Sequence, residues 1–159
     1  MTASVLDIRR PSTGRSLTWW AMGMFVLSEA VLFSLLLVSY FYVRSRSTPA
    51  WPPDGIAPPD LSWPTFMTLL LLASSIPVHW AVRSRRRGRV STARYCLFAG
   101  AAIGVAFLGL QASEYIRTAE EFTPRTNAYG SLFFTITGFH GAHVVVGVLL
   151  LLFGAARIG

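Results

Sequence analysis

Four long apolar segments constrain this chain more than any other feature of its sequence. They cover 19–43, 66–82, 95–116 and 129–156 of the 159 residues. A hydrocarbon core of about 30 Å needs about 20 residues of α-helix, so each segment is a candidate for crossing a bilayer, and the second is the shortest. The sequence therefore predicts an all-α fold, an integral membrane four-helix bundle forming a single membrane domain over 1–159.

The composition agrees with a membrane environment. Hydrophobic residues make up 53% of the chain and charged residues 13%, whereas about 25% of the residues in an ordinary soluble domain are charged. The first apolar segment is much longer than the apolar core of a signal peptide, and no small-x-small cleavage site follows it. We expect this segment to remain in the mature protein.

The positive charges alternate between the two ends of the predicted spans. All fourteen basic residues are arginine; ten lie before the first segment, between the second and third, or after the fourth, and four lie in the other two loops. The positive-inside rule then predicts that both termini and the 83–94 loop face the cytoplasm. This distribution favours a topological role over nucleic-acid binding, and we expect no nucleic-acid partner. Specific lipid binding by the arginine cluster is the alternative.

The third and fourth segments each carry small and polar residues on one face. In the third, steps of three and four residues place on one stripe Gly100, Gly104, Phe107, Gln111 and Glu114. In the fourth, the corresponding face and its edge hold Gly138, Gly141, Gly147, His140 and His143. Small residues let helix backbones approach closely, and polar side chains bond across helices. Both faces are therefore predicted to pack against other spans.

Glu29 lies near the middle of the first segment, where an ionisable side chain is a functional candidate. A central charge costs about 2.5 to 3.5 kcal/mol on insertion, whereas the Leu, Val and Phe residues of the segment contribute roughly 4 to 7 kcal/mol. The helix can therefore insert, and desolvation favours the neutral acid. Two interpretations remain open: a structural hydrogen bond to a neighbouring helix, and proton handling or lipid-headgroup binding.

His140 and His143 have the i, i+3 spacing that can chelate a metal, but a zinc site needs at least three protein ligands. His79 lies near the cytoplasmic end of its segment, too far away to complete the set. We therefore predict no metal site, and hydrogen bonds between helices from the two histidines. For Glu114, Arg117 three residues later suggests an interfacial ion pair. Three histidines and a single cysteine cannot hold two haems and a copper, so oxygen chemistry in this chain alone is not expected.

Several of these segments resemble the cytochrome c oxidase subunit III family. The residues that carry the resemblance are SEAVLF at 28–33, WPPDGI at 51–56, LQASEY at 110–115 and YGSLFFTITGFHGAHV at 129–144. They follow one another in the family's order. The resemblance covers about 22–152 and corresponds to the third to sixth helices of the seven-helix members, without their first two and their last.

The resemblance implies a supporting subunit, without redox centres of its own, of a proton-pumping haem-copper terminal oxidase. Such a subunit would bind catalytic subunit I and the other oxidase subunits, stabilise them and sustain proton uptake. Haem and copper would lie in those partners, and phospholipid would be bound. Glu29 matches the family's carbodiimide-reactive position. The expected location is a bacterial or archaeal cytoplasmic membrane.

Other functions remain open at this point. Related proteins with four or five spans serve as accessory subunits of nitric oxide reductases, and the electron donor of the host complex is either cytochrome c or quinol. A function of another class is an independent proton or small-ion transporter using Glu29 and the histidine pair. Transporters usually show repeated halves and broken helices, and the sequence shows neither.

Overall fold

The chain is all-helical throughout the part that the structure describes. A computed structural model describes residues 16–47, 51–53, 56 and 61–158, which form α1 (Leu17–Arg46), α2 (Ser62–Ala73), α3 (Ser75–Arg86), α4 (Val90–Glu121) and α5 (Ala128–Arg157). Because α3 continues α2, the five helices make four elements long and apolar enough to cross a membrane. The prediction of four membrane-spanning helices is confirmed. Three arginines used for the topology, Arg9, Arg10 and Arg15, lie outside the described residues.

The helix ends follow local chemistry. At the start of α1, the Ser16 side chain accepts a hydrogen bond from the backbone N–H of Trp19 at 3.3 Å. At the start of α5, Asn127 Oδ1 accepts from the Gly130 N–H at 2.8 Å. Serine and asparagine are preferred at these positions because they satisfy N–H groups that lack partners within the helix. Gly88, with a φ of 74°, makes the turn between α3 and α4, a conformation that glycine adopts readily.

The second span is interrupted at Ser74, which differs from the expectation that no helix is broken. Pro77 has no N–H to donate to the Ala73 carbonyl, and its ring crowds that carbonyl. At the same point the Ser74 hydroxyl donates a hydrogen bond to the Leu71 carbonyl at 2.6 Å. Ser74 keeps right-handed helical dihedral angles, φ −61° and ψ −21°. The interruption is therefore a local proline effect, and the span continues across it.

Two glycines of the α4 stripe lie against neighbouring helices. The spans pack as α4 on α3 and α5, while α2 contacts α4. Gly100 and Gly104 are both buried. A Cβ atom added at Gly104 would lie 2.6 Å from Val148 Cγ2 on α5, and one added at Gly100 would lie 3.0 Å from Val78 Cγ2 on α3. At Gly104 a side chain would therefore require a shift of its neighbour, whereas at Gly100 the Val78 side chain would need to move by only a few tenths of an ångström.

The glycines of α5 behave differently from one another. A Cβ atom at Gly138 would lie 3.7 Å from the Tyr115 hydroxyl of α4, whereas atoms added at Gly141 or Gly147 would meet nothing within 4 Å. The close packing predicted at Gly141 and Gly147 is therefore not found among the described residues. Both glycines are half-buried, but no neighbouring helix comes close enough at either position to require the absence of a side chain.

The first span is attached to the others through α5. Among the described helices α1 packs only against α5, and none of its residues is buried. Many of its apolar side chains are exposed, including Leu27 and Leu35, each 62% exposed. Because α1 has so little apolar contact within the chain, its few specific contacts with α5 determine where it sits.

Candidate functional site

Glu29 and His143 meet between α1 and α5. The Glu29 Oε2 atom is in direct contact with the His143 Nε2 atom. Both residues lie close to the middle of helices of 30 residues, so the contact is at mid-depth in the spans. The side chains are 29% and 33% exposed, respectively. The sequence singles out both residues, and the structure brings them together.

The hydrogen bonds of His143 fix how many protons this pair holds. His143 Nδ1 lies 2.6 Å from the Phe139 carbonyl oxygen. A carbonyl oxygen only accepts, so Nδ1 must carry a proton and donate it. Nε2 is then either a lone pair, which accepts from a protonated Glu29, or the second N–H of an imidazolium, which donates to a Glu29 carboxylate. In both forms one dissociable proton is shared and the pair has no net charge.

Aromatic rings connect the two histidines of α5 to α1 and to α4. The Phe33 ring, one turn after Glu29 on α1, lies edge-on to His143 at 5.1 Å between ring centroids and to His140 at 6.2 Å. Phe107 of α4 contacts the other side of His140 at 5.9 Å. Edge-to-face contacts of this kind are favourable. The spacing of Phe33 four residues after Glu29 is the sequence signal for its part in this cluster.

His140 contributes ring contacts with Phe33 and Phe107, and the hydrogen bond to another helix comes from His143. In the described part of the chain, no group of three or more His, Cys, Asp or Glu side chains is placed to hold a metal ion. His79 lies on α3, which packs against α4 and α2. The two histidines of α5 therefore have different surroundings: one is packed between rings and the other is paired with a carboxyl group.

Toward the C-terminal end of the α4 stripe, the hydrogen bond between helices comes from Tyr115, a residue that the sequence did not single out for it. The Tyr115 hydroxyl donates to Thr137 Oγ1 of α5 at 2.6 Å. Glu114 Oε2 is buried without a hydrogen-bond partner, and within 16–47, 51–53, 56 and 61–158 neither Arg117 nor any other cation forms an ion pair with it. Half-buried Gln111 likewise makes no hydrogen bond within those residues. In the sequence, the position of Tyr115 next to the α4 stripe is the feature that could have indicated its hydrogen bond to α5.

Trp51, in the loop after α1, contacts both α1 and α5. Trp51 Nε1 donates to the Tyr40 hydroxyl at 2.9 Å, and the two rings lie 5.5 Å apart. On its other side Trp51 contacts Tyr129, near the start of α5, at 5.3 Å. Trp51 thus lies between the C-terminal part of α1 and the N-terminal end of α5. Together with the Glu29–His143 pair, it holds α1 against α5 at two depths.

The fold and the site define a class: helical multi-pass membrane proteins whose first and last described spans are joined at mid-depth by a carboxyl–imidazole pair. The family described as cytochrome c oxidase subunit III matches residues 12–159. This chain belongs to the cytochrome c oxidase subunit III family, and the resemblance noted in its sequence is confirmed.

Individual relatives agree with this assignment. The chain is 38% identical to cytochrome c oxidase subunit 3 of Neotragus moschatus over 138 residues, which are 84% of this chain and 52% of the relative. It is 37% identical to the Pelea capreolus protein of the same name over 147 residues, 89% of this chain and 55% of the relative. The Felis catus protein gives 38% identity over 138 residues, with 84% and 52% covered. The chain spans about half the length of these curated relatives.

Proposed function

We propose that this chain is a supporting subunit of a haem-copper terminal oxidase and does not itself carry out the redox reaction. Membership of the subunit III family across residues 12–159 is the observation that carries this function. In this proposal haem and copper belong to partner subunits, with none in this chain, and the chain stabilises the catalytic subunit and sustains its proton uptake during aerobic electron transport.

Within that function the Glu29–His143 pair has two tasks. It attaches α1 to α5, because the described contacts between these helices are few and this one is polar and lies at mid-membrane depth. It also keeps one exchangeable proton in a unit without net charge, which avoids the cost of an isolated charge in lipid. The side chains are about one-third exposed, so a group from lipid or from a partner subunit can contact them.

The partners follow from the exposed surfaces and the family. Catalytic subunit I and the other oxidase subunits are the proposed protein partners, and the apolar surface of α1 offers contact area for them or for membrane lipid, including bound phospholipid. The chain is a multi-pass membrane protein. Its placement in a bacterial or archaeal cytoplasmic membrane, with both termini inside, remains a prediction from the sequence, and the mammalian relatives named above lend the bacterial or archaeal part no support.

Purification from native membranes tests the proposed function. A tagged chain extracted in mild detergent should carry with it a haem-bearing subunit, recognised by its absorption spectrum and by mass spectrometry. The chain expressed without partners should hold no stoichiometric iron or copper. A haem-free oligomer from native membranes would favour a transporter instead. Co-purification with a nitric oxide reductase would show that the chain is an accessory subunit of that complex.

Substitutions at Glu29 test the role of the pair. Glu29→Gln keeps the shape and can still hydrogen bond to His143, so the complex should assemble with normal haem content but inactivate sooner in sustained turnover. Glu29→Lys puts a cation beside the Nε2 atom of His143 and should impair assembly, since insertion of a central charge costs about 2.5 to 3.5 kcal/mol.

Ala30→Lys is the matched control, because its neighbouring position has the same depth and an exposed side chain. If Ala30→Lys impairs assembly as much as Glu29→Lys, the loss reflects insertion of a charge and not the pair. Identical turnover-dependent inactivation of wild type and Glu29→Gln would leave Glu29 a structural hydrogen bond.

A further inference from the structure

Two buried polar atoms lie near one end of the bundle without hydrogen-bond partners. In the part of the chain that the structure describes, they are Nε1 of Trp63, at the start of α2, and Oε2 of Glu114, in the last third of α4. An indole N–H only donates, whereas a carboxyl oxygen accepts, so the two atoms have complementary chemistry. Because buried polar atoms in proteins are nearly always hydrogen-bonded, each of them calls for a partner.

The register of the helices places these two residues at the same level. The second span and α4 run antiparallel, since a short turn joins them. A Cβ atom added at Gly100 of α4 would lie 3.6 Å from the Ser74 carbonyl oxygen and 3.0 Å from Val78 Cγ2. From Gly100 to Glu114 the helix rises about 21 Å, at about 1.5 Å per residue. The same distance back from Ser74 and Val78 reaches the start of α2, where Trp63 lies.

Both residues also belong to the faces along which α2 and α4 pack. On α2 the buried Met67 follows Trp63 by four residues, and on α4 the buried Phe107 precedes Glu114 by seven. Residues at these spacings share one side of a helix. On that side of α4, one turn before Glu114, half-buried Gln111 makes no hydrogen bond to another described residue. Three polar groups in need of partners are therefore placed where α2 approaches α4.

The chemistry of these groups selects what fits between them. The indole edge of Trp63 carries a donor and disfavours a cation, while the Glu114 carboxyl group disfavours an anion. The two atoms do not hydrogen bond to each other. A water molecule accepts from the indole and donates to the carboxyl oxygen, so it satisfies both. Buried water typically makes about three hydrogen bonds, and the Gln111 amide can supply the third because it both donates and accepts.

We propose that Trp63 and Glu114, together with Gln111, hold a buried water molecule that joins α2 to α4. The site does not depend on the oxidase function, since it is formed by residues of this chain alone. Its role follows from the interruption at Ser74. The α3 half of the second span makes most of the contact with α4, and the α2 half meets α4 at fewer positions. The bound water therefore fixes the half of the span that apolar packing holds less firmly.

A double-mutant cycle on the full chain tests whether the two groups act together. Trp63→Phe removes the indole N–H, and Glu114→Met removes the carboxyl oxygens at a similar side-chain length. The smaller ring of phenylalanine changes the packing in both backgrounds, so its effect cancels in the coupling between the two sites. In reversible unfolding in mixed micelles, the unfolding constant of the double variant should be about tenfold smaller than the two single effects multiplied together predict.

The control cycle combines Glu114→Met with Trp80→Phe, because Trp80 lies on α3, in the other half of the span. The effects of these two substitutions should multiply to within about twofold. If the effects in the Trp63 cycle multiply equally well, Trp63 and Glu114 share no ligand and the proposal fails.

The water itself is tested on the wild-type protein purified from native membranes, by cryo-electron microscopy at a resolution that shows ordered water. One density peak should lie within about 2.7 to 3.2 Å of both Trp63 Nε1 and a Glu114 carboxyl oxygen. Direct contact of the two side chains would replace the water by a hydrogen bond between the helices, and separate partners for the two groups would overturn the shared site. This measurement needs no substitution, so it decides even where Trp63→Phe does not fold.

Discussion

Gly104 gives the sharpest test of how α4 and α5 pack. A Cβ atom there would lie 2.6 Å from Val148 Cγ2, about 1 Å closer than the optimal carbon–carbon separation of about 3.5 to 4.0 Å. Val148 is 7% exposed, and a β-branched side chain in a helix has one strongly preferred rotamer. Gly104→Ala must therefore push the two helices apart, at a cost of about 1 to 3 kcal/mol for overpacking.

Gly109→Ala is the matched control for this substitution. It lies on the same helix, and a Cβ atom there meets nothing within 4 Å. Both substitutions gain about 0.8 to 1.0 kcal/mol of helix propensity, so the difference between them isolates the clash. Gly104→Ala should be less stable than Gly109→Ala by about 1 to 3 kcal/mol, measured by reversible unfolding in mixed micelles followed by circular dichroism.

A second substitution tests the assigned cause. Val148→Ala removes the methyl group that Gly104→Ala would strike, so the two changes together should cost less than the sum of the single changes, by about 1 kcal/mol or more. Equal stability of Gly104→Ala and Gly109→Ala, or strict additivity with Val148→Ala, would refute the close approach of α4 and α5 at this level.

Three further predictions concern the topology and the contacts of the loops before α2 and α5. A cysteine replacing Thr126 should react with an impermeant thiol reagent added to intact cells and one replacing Ser91 should not, since the arginine distribution places them on opposite sides; the reverse labelling would invert the topology. Gly130→Ala should destabilise the fold more than Gly104→Ala in the same unfolding assay, because its Cβ atom would lie 2.5 Å from the Thr123 carbonyl oxygen, a backbone atom that no rotamer change can move. Tyr40→Phe keeps the ring and loses only the hydroxyl that accepts from Trp51 Nε1, which should cost about 0.5 to 1.5 kcal/mol; an unchanged unfolding midpoint would show that ring packing alone holds this contact.

The sequence predicts the spans well because their determinant is local. Length and apolar character decide whether a helix crosses lipid, and each of the four described spans includes its predicted segment and extends beyond it. The interruption at Ser74 is also local, and Pro77 carries its signal, although the prediction treats the span as unbroken. Side-chain contacts between spans are less accessible, since they depend on how whole helices rotate and settle against one another.

The candidate site shows which contacts between spans the sequence does not predict. Glu29 and His143 stand out in the sequence individually, one as a carboxyl group at mid-depth and the other as half of a histidine pair. Nothing in either segment shows that they meet, because they are 114 residues apart in the chain. The same reason explains why Tyr115, and not its neighbour Glu114, makes the hydrogen bond to α5: a rotation of α4 by one position decides between them.

The attachment of α1 through α5 has a consequence for the order of events during synthesis. The first span leaves the ribosome long before residue 143 exists, so Glu29 must enter the membrane without its partner. During that interval α1 has no contact with α2, α3 or α4 among the described helices, and only the loop that leads to α2 keeps it nearby. The last span then supplies the surface against which α1 packs. Completion of α5 is therefore the step that joins α1 to the other helices, and a chain stalled before that point would present α1 as an unpacked helix to the cell's quality control.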